Sequence, residues 1–98
     1  MRESRIEAAA NRLAKKLGFW ERKFKTPARR SAPDRIYAKN GRVFWIEFKR
    51  KGEKPTELQR GEHERMRAAG LTVYVCDCKE EYEAVFEYED RLAGANAL

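Results

Sequence analysis

The sequence predicts a small mixed α/β fold, in which one central sheet is covered by helices. Residues 2–17 have the apolar spacing of an amphipathic helix, and two short apolar runs flank Asn40-Gly41, the strongest two-residue signal for a β-hairpin. A capped helical segment, residues 56–69, then leads into another apolar run, residues 71–76. A strand reached through a helix can lie parallel to the strand before it, so we expect a mixed sheet.

The composition limits the size of the protein and the chemistry of its partners. With 98 residues, the chain is expected to form a single domain, residues 1–98, around one modest core. The net charge of +6 favours a polyanionic partner, because Lys and Arg release counterions from phosphates. The sequence has no long apolar run, signal peptide or lipidation motif, so we expect no membrane partner and a cytoplasmic location.

The opening helix carries an acidic side chain, Glu7, beside its apolar stripe. Acidic residues near the start of a helix are favoured by the helix dipole without any further role. Glu7 also flanks the buried stripe, which would let it reach a site beneath the helix. Gly18 predicts the end of this helix, and residues 19–25 are expected to form a first strand, exposed or at a sheet edge because both of its faces carry charge.

A basic segment leads into the hairpin. Arg29 and Arg30 precede the sequence Pro33-Asp34-Arg35. Basic residues in a loop are commonly solvated and nothing more. Their position before an aspartate, in a positively charged chain, equally favours contact with DNA phosphates, so Arg29, Arg30 and Arg35 are candidate DNA-binding residues.

The hairpin brings two carboxylates together. Its strands are expected at residues 36–39 and 42–49, and counting outward from the turn places Asp34 roughly opposite Glu47. Successive strand side chains point to opposite faces, so Glu47 and Lys49 share one face of the second strand. Two acids and a lysine therefore meet at one end of the hairpin.

This combination suits metal-dependent hydrolysis of phosphodiester bonds. Mg²⁺, for which Mn²⁺ can substitute, prefers hard oxygen ligands and generates a nucleophilic water while neutralising phosphate charge. We expect Asp34 and Glu47 to be ligands, Glu7 to be a further ligand directly or through water, and the backbone carbonyl of Phe48 to complete the set. Lys49 would position or activate water and stabilise negative charge.

The segment after the hairpin offers both structural and functional interpretations. Lys51 and Lys54 lie in a loop that is either a polar connection or a contact with the DNA backbone. Thr56 and Gln59 have the spacing of a capping box, which gives Gln59 a structural role and leaves open whether it also faces the site. His63 is expected at the surface and is not assigned to the site.

The remaining chain predicts a strand and a final helix. Residues 71–76 are apolar on both faces, which favours an interior strand, and residues 79–92 predict a helix whose acidic face turns away from DNA. Residues 93–98 have no clear pattern. Cys76 and Cys78 are expected to be reduced thiols, because their spacing on a strand is unsuitable for a disulfide.

The motifs described above resemble those of the virus-type replication-repair nuclease family, VRR-NUC, of the PD-(D/E)XK nuclease superfamily. The resemblance covers most of the chain and rests on Glu7, Pro33-Asp34, Glu47-Phe48-Lys49 and the segment from Thr56 to Gln59. It implies a restriction-endonuclease-like α/β/α fold, divalent-metal-dependent cleavage of DNA, and Gln59 as a further active-site residue. Members of similar length resemble phage or bacterial proteins that dimerise and cut branched DNA, as Holliday junction resolvases do. The resemblance thus implies a homodimer in a bacterial or phage-infected cell.

Three alternatives remain. A flap or nicking nuclease belongs to the same class. A basic module that binds nucleic acid without cutting it would use Asp34, Glu47 and Lys49 only as a structural ion pair. A nuclease with sequence specificity ranks last, because no residue argues for recognition of bases.

Overall fold

The computed structural model of the protein describes residues 3–25 and 32–96. Within these ranges, three helices and four strands follow the predicted order. They are α1 (Glu3–Lys16), β1 (Trp20–Lys23), β2 (Arg35–Lys39), β3 (Arg42–Phe48), α2 (Glu57–Ala68), β4 (Thr72–Cys76) and α3 (Lys79–Asn96). The strands form a single sheet in the order β1-β2-β3-β4, in which only the β3-β4 pair is parallel. The predicted α/β fold with a small mixed sheet flanked by helices is confirmed.

The turn between β2 and β3 fixes the register of the hairpin. Asn40 and Gly41 have φ angles of 46° and 86°, as expected for a two-residue turn that needs positive φ at both central positions. The pairing runs from Lys39 opposite Arg42 to Arg35 opposite Ile46. The register predicted by counting outward from the turn is therefore correct.

Helices cover both faces of the sheet. On one face, α1 and α3 pack over an aromatic core that includes Phe44, Ile46 and Phe48 of β3, all without solvent exposure. On the other face, Trp45 packs with Met66 of α2 in a second, smaller cluster. The alternation of β3 side chains thus separates Phe44, Ile46 and Phe48 from Trp45 and Glu47.

The position of β4 differs from the prediction of an interior strand. It lies at one edge of the sheet and pairs only with β3 among the described strands. Its side chains are apolar on both faces because α2 covers one face and α3 the other: Val73 belongs to the smaller cluster and Cys76 to the aromatic core. Apolar residues on both faces of a strand therefore indicate helices above and below it, and not a strand on each side.

The last helix is longer than predicted. It continues to Asn96, four residues beyond the predicted end at residue 92, and Ala93 is fully buried. Glu89, which belongs to the predicted acidic surface, is also fully buried and accepts hydrogen bonds from Arg42 and from the Tyr74 hydroxyl. None of the helices in the described ranges has an apolar stretch long enough to cross a bilayer.

Candidate active site

Glu47 is the residue on which the polar side chains of the site converge. It occupies the second-last position of β3 and is almost fully buried, with 2% exposure. Gln59 Nε2 lies 3.4 Å from Glu47 Oε2, His63 Nε2 lies 3.5 Å from Oε1, and Lys49 Nζ lies 4.0 Å from Oε2. A buried carboxylate costs free energy unless donors or cations compensate its charge, and these three side chains supply that compensation.

Asp34 lies across the hairpin from Glu47. Arg35 pairs with Ile46, so Asp34, one residue earlier, comes opposite Glu47, as predicted. Asp34 Oδ2 accepts a 2.7 Å hydrogen bond from the backbone N–H of Phe48. The N–H and C=O of one strand residue point towards the same neighbouring strand, so the carbonyl of Phe48 also faces the side on which Asp34 lies.

Lys49 directly follows β3, and its side chain lies on the same face of the sheet as that of Glu47. Its backbone N–H donates to the carbonyl of Cys76 at 2.9 Å, and its side chain is largely buried. The ammonium lies 4.0 Å from both Glu47 Oε2 and Glu53 Oε1. A lysine held at this depth beside a carboxylate places a positive charge at the end of the strand, where a phosphate oxygen could be neutralised.

Gln59 has both of the roles that its sequence position allowed. Its backbone N–H donates to Thr56 Oγ1 at 3.2 Å, and its side-chain oxygen accepts from the Thr56 N–H at 2.9 Å, which completes the capping box of α2. Its remaining polar atom, Nε2, donates to Glu47 Oε2. The cap therefore fixes the side chain whose amide contacts Glu47.

His63 is the site residue that the sequence interpretation missed. The prediction of a surface histidine is wrong: His63 is 1% exposed and faces the sheet. Burial lowers the pKa of His63 below its ordinary value, the positive charges of Arg67 and Lys49 act in the same direction, and Glu62 opposes them. Its spacing of four residues from Gln59 could have indicated that both side chains lie on one face of α2.

Glu7 and Arg35 form an ion pair with each other. Arg35 Nε donates to Glu7 Oε2 at 2.7 Å, and a second guanidinium nitrogen donates to Glu21 Oε2 at 2.6 Å. Because successive side chains point to opposite faces of a sheet, Arg35 and Asp34 lie on different faces. Arg35 pairs with Ile46, whose side chain is in the core beneath α1 and α3. The structure therefore places Arg35 and Glu7 on the α1 side of the sheet, whereas Glu47 faces α2.

The other predicted DNA contacts, Arg29, Arg30, Lys51 and Lys54, flank the hairpin in the sequence. Lys51 and Lys54 are exposed in the loop between β3 and α2, shortly after Glu47 at the end of β3 and Lys49 directly beyond it. Arg29 and Arg30 lie outside the described residues.

The donor set at Asp34, Glu47 and the Phe48 carbonyl fits Mg²⁺ or Mn²⁺, because it consists of hard oxygen atoms and includes two carboxylates. The carboxylates of Glu7, Asp34 and Glu47 do not all lie within 4.8 Å of one another. Among the described residues, Asp77, Cys78 and Glu81 do have ligand atoms this close together. That second group has a structural explanation. Asp77 accepts the Gly52 N–H and Glu81 accepts the Asp77 N–H, so the group ties the β3-α2 loop to the start of α3.

The chain is similar to known proteins in both sequence and fold. No protein-family profile matches the chain. The protein named "Putative nuclease p44" of Acyrthosiphon pisum secondary endosymbiont phage 1 is 41% identical over 81 residues, which are 82% of this chain and 87% of the phage protein. A solved structure described as a VRR_NUC domain superposes with a TM-score of 0.81 at 30% identity, over 87% of this chain and 94% of the other.

The fold and these relatives define the protein as a nuclease. Its extensive similarity to the phage protein, together with the structural match, places the chain in the VRR-NUC family. The family resemblance inferred from Pro33-Asp34 and Glu47-Phe48-Lys49 is confirmed.

Proposed function

We propose that the protein is a divalent-metal-dependent endonuclease that hydrolyses phosphodiester bonds in branched DNA. The observation that carries the proposal is the convergence of Lys49, Gln59 and His63 on the buried carboxylate of Glu47, with Asp34 directly across the hairpin. A structural ion pair needs only one carboxylate and one cation. Here two carboxylates, Asp34 and Glu47, meet at a strand end beside the buried Lys49. Gln59 and His63 contact the Glu47 carboxylate as well.

Asp34, Glu47 and the Phe48 carbonyl would hold the metal ion. Glu7, which the sequence suggested as a further ligand directly or through water, is not included, because its carboxylate pairs with Arg35 on the opposite face of the sheet. When bound, Mg²⁺ or Mn²⁺ supplies charge neutralisation and a water of lowered pKa. Lys49 would stabilise the negative charge that develops on the phosphate and orient the attacking water. Gln59 would keep Glu47 oriented, because its own side chain is fixed by the capping box.

The charge distribution supports DNA as the substrate. The net charge is +6 although α3 carries several acidic residues, so the rest of the chain is more basic than that value suggests. Exposed Lys51 and Lys54 follow the strand that carries Glu47, and we assign them, with Arg29 and Arg30, to phosphate contacts. Arg35 is not included, because Glu7 and Glu21 already engage its guanidinium. A DNA substrate also favours the cytoplasm of a bacterial or phage-infected cell.

A homodimer would give the protein two active sites, one for each of the two strands that must be cut to resolve a Holliday junction. Two exposed aromatic residues are candidates for the dimer interface: Trp20, 48% exposed on edge strand β1, and Tyr88, 48% exposed on α3. Trp45, which the sequence also suggested for this surface, is buried beneath α2 and is unsuitable.

The test is cleavage of a labelled panel that contains linear duplex, single strand, flap, splayed arm and four-way junction, each with Mg²⁺, Mn²⁺ or EDTA. We expect metal-dependent cutting of the junction, lost in Glu47→Ala and Lys49→Ala. Glu64→Ala is the matched control, because Glu64 is an exposed acidic residue of α2. Preferred cutting of flaps would favour a flap nuclease. Tight binding without cutting of any substrate would reject the enzyme in favour of a binding module.

A further inference from the structure

His63 contacts the carboxylate at the centre of the proposed site, and the proposed chemistry gives it no task. It is 1% exposed, and its Nε2 lies 3.5 Å from Glu47 Oε1. Within the described parts of the chain, Nε2 is fully buried and makes no hydrogen bond of good geometry. A buried polar atom without a hydrogen bond costs free energy, so its position beside Glu47 calls for an explanation.

Side chains from one face of α2 lie next to both carboxylate oxygens of Glu47. Gln59 and His63 are four residues apart and therefore neighbours on the helix surface. Gln59 Nε2 is 3.4 Å from Oε2, and His63 Nε2 is 3.5 Å from Oε1. Met66, three residues after His63, packs with Trp45 and so anchors this face of the helix to the sheet. The carboxylate therefore has one α2 side chain at each oxygen.

We propose that His63 is a positioning residue, which orients the Glu47 carboxylate for binding of a divalent cation. The inference rests on the proposed function. The imidazole can donate its Nε2–H to Oε1, and Gln59 contributes an amide donor at Oε2. Together the two donors hold the carboxylate in one orientation, as partners of metal ligands commonly do.

The alternative is that His63 only fills space between α2 and the sheet. The two roles differ in what they require of a substitute. Gln extends an amide nitrogen to about the place of the imidazole Nε2, Asn has the same amide on a shorter side chain, and Leu has the volume but no donor. A space-filling role tolerates Leu, whereas a positioning role requires the donor at the correct reach.

The experiment is calorimetric titration of Mn²⁺ into the full chain and its variants, without DNA. We expect His63→Leu to weaken Mn²⁺ binding by roughly 10-fold or more, the size of effect typical for partners of metal ligands. His63→Gln should bind within a few-fold of the unsubstituted protein. Met66→Leu is the matched control for a buried change on the same helix face and should leave the affinity unchanged.

Two further variants separate the possible failures. Glu47→Ala should abolish Mn²⁺ binding at this site. If it does so while folded His63→Leu binds Mn²⁺ normally, the positioning role is rejected and the proposed nuclease function stands. If the unsubstituted protein binds no Mn²⁺, the proposed metal-dependent function fails and the inference fails with it. Should His63→Leu not fold, His63→Gln and His63→Asn decide: loss of affinity only in Asn supports the inference, and equal affinity in both overturns it.

Discussion

Arg35 and Glu7, which are 28 residues apart in the chain, form a 2.7 Å ion pair between β2 and α1. The sequence suggested separate roles for them, Arg35 in DNA binding and Glu7 in metal binding. Glu21 binds the same guanidinium, so Arg35 has a carboxylate on each of two nitrogens. The pair joins the first helix to the sheet on the face opposite Glu47.

The salt dependence of DNA binding should distinguish Arg35 from the loop lysines. Each lost phosphate contact reduces the slope of log K against log salt concentration by about 0.9 for duplex DNA. We expect Lys54→Ala to reduce the slope by about this amount, because Lys54 is exposed. Arg35→Ala should leave the slope unchanged, because the guanidinium is engaged by carboxylates. Fluorescence anisotropy in Ca²⁺ or EDTA from 50 to 200 mM salt, the range over which such slopes are commonly resolved, provides the measurement. An equal decrease for Arg35→Ala would show that Arg35 contacts phosphate.

The two roles of Gln59 can be separated by comparing two variants of one capping box. Thr56→Ala and Gln59→Leu each remove part of the cap, so both should lower the free energy of unfolding by about 1 kcal/mol. Only Gln59→Leu removes the amide from Glu47, so only this variant should lose cleavage activity, by roughly 10-fold or more. Chemical denaturation and single-turnover cleavage of the preferred substrate give the two quantities. If Thr56→Ala lost as much activity, the effect would come from the helix cap and not from the contact with Glu47.

The sequence predicted the hairpin and its two acids because they depend on local rules. Asn40-Gly41 determines the turn, and alternation along β3 then determines that Glu47 and Lys49 share a face. His63 could not be placed in this way. Its burial depends on how α2 rotates about its axis when it packs on the sheet, and this rotation is set by distant contacts such as that of Met66 with Trp45.

The sequence also did not predict the ion pair of Glu7 with Arg35 or the burial of Glu89, for a related reason. An acidic residue in a charged helix is usually solvated, and only a partner from another element makes its burial tolerable. Those partners, Arg35 for Glu7 and Arg42 for Glu89, are 28 and 47 residues away in sequence. Local periodicity carries no information about such pairs, whereas it does predict where the helices lie.

The Arg42 and Glu89 pair should contribute to stability mainly because Glu89 is buried. The Arg42 side chain is 30% exposed and that of Glu89 is not exposed at all. Removing the arginine therefore leaves a buried carboxylate whose remaining hydrogen bond, among the described residues, comes from the Tyr74 hydroxyl. We expect Arg42→Met to lower the free energy of unfolding by about 2–3 kcal/mol, below the usual cost for a fully buried pair because Arg42 is partly solvated.

The double variant Arg42→Met with Glu89→Met should recover most of the loss, because it removes both charges and leaves an apolar contact. Urea denaturation of the single and double variants gives the comparison, with Arg60→Ala as a control at an exposed arginine of α2. A double variant less stable than Arg42→Met alone would mean that the carboxylate of Glu89 stabilises the fold through Tyr74 independently of Arg42.

His63 should make the stability of the protein depend on pH. Its pKa is lowered in the folded state from the ordinary value of 6.5 by burial and by the charges of Arg67 and Lys49, although Glu62 and the adjacent Glu47 oppose this. Below about pH 6.5, the unfolded chain therefore binds a proton that the folded protein resists, and the free energy of unfolding falls as the pH decreases. Above this pH, His63 is neutral in both states and contributes no slope.

The slope from one such group is at most about 1.4 kcal/mol per pH unit, so it must be isolated from that of the carboxylates. His63→Gln retains a polar side chain of similar reach but cannot titrate. The measurement is urea denaturation of the unsubstituted protein and of His63→Gln between pH 5 and 8, the range in which histidine changes charge. The difference between their free energies of unfolding should be constant above pH 7. Below about pH 6.5, the unsubstituted protein should lose stability relative to His63→Gln. Parallel curves throughout would mean that His63 titrates alike in the folded and unfolded protein. That result would contradict the lowered pKa, because it would mean that the carboxylates of Glu62 and Glu47 fully offset burial and the positive charges of Arg67 and Lys49.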